Sequence, residues 1–245
     1  MAGSFGAEAL VCSDVTVTAP TTSGELTLLR GVDVALPERR VAVVGLNGSG
    51  KSTFLRLFNG LARPASGEVT VHGIDVARDV RAARRHVGFV FTDPLSQLVM
   101  PTPVEDVELS LRGTGLPRAR RRTAALALLG RVGIAHRAEH SIYDLSGGER
   151  QLAAFAAVLA VEPEVLVLDE PTTLLDLRNR GRLIGLLDGL PHQLLISTHD
   201  LGLAATASRV LVLHEGRLVA DGRPEQVLPA YERWCAHGFP QEAAP

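Results

Sequence analysis

At 245 residues the chain is long enough to bury a proper core, either as one large domain or as a core with a small appendage. Its 25 Lys and Arg against 27 Asp and Glu leave a net charge of -2, which gives no long-range attraction for nucleic acid. The longest apolar runs, 152–161 and 165–168 among them, are far too short to cross a bilayer, and the N-terminus, with Glu8 and no basic segment, does not read as a signal peptide.

The first ~35 residues read as short strands at 10–12, 14–18 and 26–35, the last broken at Arg30-Gly31. Gly, Pro and Thr between 19 and 24 make a turn. Val41-Ala42-Val43-Val44 is a continuous apolar run rich in β-branched residues, the texture of a central parallel strand. Residues 52–58 show helical spacing that stops at Asn59-Gly60, 67–76 reads as a hairpin, and 87–91 reads as another strand. From 93 to about 151 prolines at 94, 101, 103 and 117 break the pattern, while 123–129 is helical, so a helical insert is expected between two halves of a sheet domain. Strands resume at 165–168, 194–197 and 210–213 with helical runs between them, an alternation that means a parallel α/β sheet. The stretch 224–245 carries one short helix and a frayed tail. Arg118, Arg120, Arg121 and Arg122 form the densest charge run and, lacking aromatic neighbours, read as a solvated helix start. Cys12 and Cys235 sit at opposite ends without metal spacing, as two unpaired thiols of a soluble intracellular protein.

Lys51 is the only lysine, and it stands in Gly45-Leu46-Asn47-Gly48-Ser49-Gly50-Lys51-Ser52-Thr53. Arginine replaces lysine on a solvated face, but not where a compact ammonium must fit inside a loop wrapped round a phosphate. A Gly-x4-Gly-Lys-Ser/Thr run between strand and helix is a phosphate loop. Its successive N–H groups form an anion nest, and the helix N-terminus adds roughly half a positive charge. Gly48 and Gly50 let backbone approach a β-phosphate, Lys51 reaches the β- and γ-oxygens, and Ser52 ligates Mg2+. Further on, Val165-Leu166-Val167-Leu168-Asp169-Glu170 delivers two carboxylates at a strand end, where open α/β sheets bind ligands. Successive side chains point opposite ways, so the two acids have different tasks: Asp169 joins Ser52 in the magnesium shell and Glu170 acts as general base. In Leu145-Ser146-Gly147-Gly148-Glu149-Arg150-Gln151, Ser146 is an N-cap and two glycines expose amides ahead of an apolar helix, a second anion site without a lysine.

With that segment the chain resembles the ATP-binding cassette family, whose signature is Leu-Ser-Gly-Gly-Gln/Glu. The resemblance covers nearly the whole chain in order: phosphate loop, Q-loop region, signature, Walker B strand, D-loop at Thr173-Leu174-Leu175-Asp176, and switch histidine in Ser197-Thr198-His199-Asp200. It implies one cassette domain over 1–245, a P-loop NTPase of α/β class. A RecA-like parallel sheet core is expected at about 1–92 and 152–225, with an N-terminal antiparallel β subdomain. A helical subdomain is expected at about 93–151 and a tail at about 226–245. The likeness also implies ATP and Mg2+ as ligands, hydrolysis to ADP and phosphate, and a head-to-tail dimer. In that dimer, ATP on one Lys51 loop is closed over by the partner's Ser146-Gly147-Gly148. Asp176 of the D-loop joins the nucleotide-binding set, and His199 contacts the γ-phosphate and orients the water. Two positions depart from the family. The Q-loop glutamine is Thr92, a shorter side chain that still offers a hydroxyl to magnesium or its water. The aromatic that stacks on adenine is absent from Val17-Thr18-Ala19-Pro20, so weak base contact is expected.

The run Asp93-Pro94-Leu95-Ser96-Gln97-Leu98-Val99-Met100-Pro101-Thr102 is similar to the ATPases of energy-coupling-factor transporters, and the acidic strand end with its following loop looks most like the biotin-system ATPase of that group. That likeness implies a vitamin or transition-metal importer and a second ATPase subunit, identical or paralogous. It implies a transmembrane scaffold subunit, a membrane substrate-binding subunit, and a peripheral place on the cytoplasmic face of the membrane. The alternatives are a soluble non-transport cassette ATPase, an ATPase of another importer class, and a regulator that binds nucleotide without hydrolysis. Neutral charge and a single compact cassette disfavour a DNA-repair or translation role, and Glu170 and His199 disfavour the regulator. Lys51→Ala is expected to abolish ATP binding in a filter assay by removing a charge-assisted contact worth about 1.5–3 kcal/mol. Unchanged affinity would reject that role.

Overall fold

The computed structural model describes residues 9–22 and 24–240, which divide into two compact units: residues up to 86 together with 193 onward, and residues 87–192. The signal-peptide question at the first eight residues and the frayed end at 241–245 lie outside the described residues.

The first unit opens on β1 (Leu10–Thr21) and β2 (Gly24–Leu36), an antiparallel hairpin that closes at the Thr21–Gly24 pair. β1 is one strand where the sequence predicts two pieces. Asp14 takes φ 49, the register shifts between Cys12 and Val15, and the strand resumes with Val15 and Val17 buried, so a bulge replaces the expected break. After β3 (Arg40–Val44) and α1 (Lys51–Leu57) come β4 (Ser66–Val71) and β5 (Ile74–Asp75), which complete an antiparallel sheet of order β2-β1-β4-β5. α2 (Val80–His86) buries only Ala82 and Ala83, too thin an apolar face to register as a periodic signal.

The second unit starts with β6 (Val87–Val90) and then carries only helix and turn as far as 159: α3 (Pro103–Ser110), α4 (Arg118–Arg131) and α5 (Gly147–Leu159), joined by 3-10 turns. β7 (Val165–Asp169) pairs in parallel with β6, from Val87–Val165 to Val90–Leu168, and α6 (Leu177–Asp188) completes the unit. The compact unit holds strands as well as the helical stretch. α5 is buried from Gln151 to Leu159 and packs on β6, which pairs with β7, so both strands travel with the helices. Asp106, 4% exposed on α3, accepts from Val99 N at 2.8 Å and Met100 N at 2.9 Å, fixing the loop ahead of its own helix. At the start of α4, Arg118 and Arg120 are exposed, Arg122 pairs with Glu139, and Arg121 donates to Leu116 O.

The chain then returns to the first unit through β8 (Gln193–Ser197), α7 (Leu201–Ala204), β9 (Arg209–His214), β10 (Arg217–Gly222) and α8 (Pro224–His237). β8 and β9 flank β3 in parallel, and β10 joins β9 antiparallel. Alternate residues Ala42, Val44, Val210 and Val212 face Val227, Leu228 and Tyr231 of α8 in one buried cluster. That contact carries α8 through 14 residues, longer than the short helix expected. No described helix is long and apolar enough to cross a membrane.

α5 begins with a capping box. Ser146 N donates to Glu149 Oε2 at 2.8 Å, and Glu149 N donates to Ser146 Oγ at 3.2 Å. Arg137 Nε donates to Glu149 Oε1 at 2.8 Å. Burial alone would raise the Glu149 pKa, but the Ser146 amide, Arg137 and the Ser146 hydroxyl together outweigh it and hold the carboxyl below its ordinary value of 4.5. A carboxyl depressed in the folded state contributes stability above its unfolded pKa and loses it as pH falls through the folded value. Glu149→Gln keeps a capping-box acceptor, so at pH 7 it is expected to cost less than about 1 kcal/mol. Below 4.5 its urea midpoint is expected to fall less steeply with pH than the parent's, and parallel decline in both proteins would refute this.

Candidate functional site

Every residue of β3 from Val41 to Val44 is buried, so polar chemistry begins only where the strand ends. The loop that follows turns straight into α1, whose N-cap is Gly50 at φ 102. Only glycine fits there: the conformation is left-handed, and a Cβ would stand 2.9 Å from Leu28 O and 2.8 Å from Leu29 Cδ2. Leu46, Asn47 and Gly48 form an exposed crest, and Ser52 and Thr53 are half-buried in the first turn of α1. The loop is also held from outside. Gly216 N, in the β9–β10 turn, donates to Ser49 O at 3.0 Å, and Arg30 N of β2 donates to Gly216 O at 2.8 Å.

Lys51 is 7% exposed, and its Nζ donates to Gly45 O at 2.8 Å and Leu46 O at 3.2 Å, so the ammonium lies across its own loop. Ser49 is 4% exposed, and its Oγ has no hydrogen-bond partner among the described residues. A buried hydroxyl left unpaired costs about 1–3 kcal/mol, so this loop suits an oxyanion ligand that accepts from it. In the same unit Ser197 pairs with Val43, and Thr198 N donates to Val43 O at 3.0 Å. That brings exposed His199 to the same edge of the parallel sheet as the Lys51 loop. Asp200 next to it caps α7, accepting from Leu203 N at 3.1 Å.

In the second unit β7 is likewise buried along its length and ends at Asp169, 1% exposed. Glu170 follows at φ 51, a left-handed conformation uncommon for a residue with a Cβ and frequent at functional sites. Thr92, just past β6, is brought to the same strand end: its Oγ1 donates to Asp169 O at 3.1 Å. At the signature, Ser146 is engaged in the capping box while Gly147 and Gly148 open α5. A Cβ on Gly148 would meet Leu174 O at 3.2 Å, so the D-loop rests directly against these two residues. Asp176 caps α6, accepting from Asn179 N at 2.7 Å and Asn179 Nδ2 at 3.3 Å. Ser52 in the first unit and Asp169 in the second each offer oxygen donors, the chemistry Mg2+ takes, whereas the Thr92 hydroxyl donates its proton to the Asp169 carbonyl.

Three residues of this neighbourhood make contacts that motif reading does not announce. Gln97 and Gln151 hold the Phe91 peptide groups, and Arg137 anchors Glu149. Gln97 and Gln151 stand in the motif runs that follow Thr92 and open the signature helix, whereas Arg137 stands in neither.

Comparison with known proteins agrees with this geometry. The model of the ABC transporter family matches residues 29–173. The Rhizobium etli biotin transport ATP-binding protein BioM is 41% identical over 213 residues, covering 87% of this chain and 95% of its own length. A dimeric ATP-binding cassette bound to ADP and phosphate in a post-hydrolysis state has a TM-score of 0.82 at 29% identity, covering 88% of this chain and 98% of that one. CbiO1 of Clostridium perfringens, part of the CbiONQ ABC transporter complex, has a TM-score of 0.76 at 29% identity and covers 93% of each chain. The chain belongs to the ABC transporter family as an ATP-hydrolysing cassette of the α/β, P-loop NTPase fold.

Proposed function

We propose that this chain is the ATPase subunit of an importer of the energy-coupling-factor type, with a vitamin such as biotin as the solute and a transition-metal ion as the alternative. The observation that carries the ATPase roles is the phosphate loop, where a buried ammonium lies beside a buried, unpartnered hydroxyl. In this reading Lys51 leaves its carbonyl partners for the β- and γ-phosphate oxygens of ATP, while Ser49 Oγ and the loop amides donate to the same oxygens. Ser52 and Asp169 would hold magnesium, which would supply positive charge beside the phosphates, while the Thr92 hydroxyl is engaged with the Asp169 carbonyl. Glu170 takes a proton from the water that attacks the γ-phosphorus, and His199 orients that water. The bond to the β-phosphate oxygen breaks, and ADP and phosphate leave.

The amides of Gly147 and Gly148, with Ser146 and Asp176, serve the nucleotide of a second cassette in a head-to-tail dimer, identical or paralogous. Likeness to BioM and CbiO1 supports the importer class. So does the segment after Thr92, where Leu95 is 40% and Val99 70% exposed, apolar surface suited to a scaffold helix. The chain then sits peripherally on the cytoplasmic face of the membrane, with a transmembrane scaffold subunit and a membrane substrate-binding subunit.

A tagged chain is expected to copurify from detergent-solubilised native membranes with hydrophobic subunits, and recovery solely from the soluble fraction would end the importer reading. Glu170→Gln is expected to bind ATP as the parent does, release phosphate at least about 100-fold more slowly, and sediment as an ATP-dependent dimer. Normal phosphate release would place the base elsewhere.

A further inference from the structure

β6 ends at Val90, and side chains hold the next two residues from three sides. Gln97 Oε1 accepts from Phe91 N at 3.3 Å, Gln151 Nε2 donates to Phe91 O at 3.2 Å, and Thr92 Oγ1 donates to Asp169 O at 3.1 Å. The last acceptor has a special place in the chain. The Asp169 carbonyl belongs to the planar peptide that leads into Glu170, so rotating that plane changes Glu170 φ. Glu170 φ is 51, a left-handed value that a side chain bearing a Cβ leaves readily unless its neighbours hold it.

Holding the Asp169 carbonyl holds the peptide plane, and the plane directs the Glu170 side chain. The grip extends further. Gln151 is 2% exposed, and its Oε1 has no partner among the described residues, so its one hydrogen bond to Phe91 sets its orientation. The helix that starts at Gly147-Gly148 is thereby tied through Phe91 and Thr92 to the peptide in front of Glu170. A glutamine at position 92, the usual Q-loop residue, carries its polar atoms two bonds further out, so it cannot make the same short bond.

We propose that Thr92 is a positioning residue for ATP hydrolysis: its hydroxyl locks the Asp169–Glu170 peptide and so aims Glu170, with Gln151 relaying the position of the signature helix into that lock. The proposal rests on Glu170 being the general base.

The test compares Thr92→Val, Thr92→Ala and Thr92→Ser in steady-state ATP hydrolysis, filter binding of ATP, magnesium titration and thermal unfolding. Valine and alanine are expected to lower kcat roughly three- to tenfold with KM, ATP affinity and half-saturating magnesium unchanged, while serine restores kcat to within about twofold. Adding Gln151→Met to Thr92→Val is expected to lower kcat no further, because both changes break one chain of contacts. Full turnover in the folded valine or alanine variant overturns the proposal. A serine variant as slow as valine overturns it too, because size would then matter rather than the hydroxyl. A shifted magnesium requirement also overturns it, making Thr92 a metal ligand. Glu170→Gln assayed alongside separates the premises: with that variant inactive, a fully active Thr92→Val defeats only the lock. A turning-over Glu170→Gln defeats the base assignment itself.

Discussion

A parallel strand buried on both faces can present polar chemistry only at its end. β3, β6, β7 and β8 obey this constraint without exception: every residue from Val41 to Val44, Val87 to Val90, Val165 to Asp169 and Leu194 to Ser197 is buried. The residues proposed for function are accordingly those that come next or close the strand, namely the Gly45 loop, Thr92, the Asp169–Glu170 pair and His199. Four short apolar runs thus decide where four unlike groups emerge. The chemistry depends on strand length as much as on residue identity, since one residue more or fewer would point each group to the other face.

Much of this was legible in the sequence because the signals are local. The β-branched runs mark the strands, and the glycines with Lys51, the acids ending β7 and the signature mark the candidate site. What escaped depends on partners distant in sequence. Nothing local announces that Asp14 will form a bulge rather than a break, because the bulge is defined by pairing with β2. α2 was invisible since two alanines are its whole buried face. Thr92 could be noticed as unusual from sequence, but its acceptor 77 residues away could not.

The choice of one lysine among two dozen arginines also gains a physical basis. Lys51 must be compact enough to lie 7% exposed across its own loop with carbonyls at 2.8 and 3.2 Å. A guanidinium is planar and branched, with five donors in a rigid fork, and would leave several of them unmet in that space. The glutamate of the signature shows the opposite economy. Glu149 closes a capping box and meets Arg137 as well, so its charge serves helix geometry more than ligand contact.

The β9–β10 turn has a consequence for binding kinetics. Because Gly216 clasps Ser49 and is itself clasped by Arg30, the crest at Leu46 to Gly48 is preorganised by contacts far along the chain. Conformational freedom is surrendered once, when the chain folds, and little is left to lose at each encounter with a triphosphate. Association should then be governed by diffusion and charge, with residence time left to the groups that grip the phosphates.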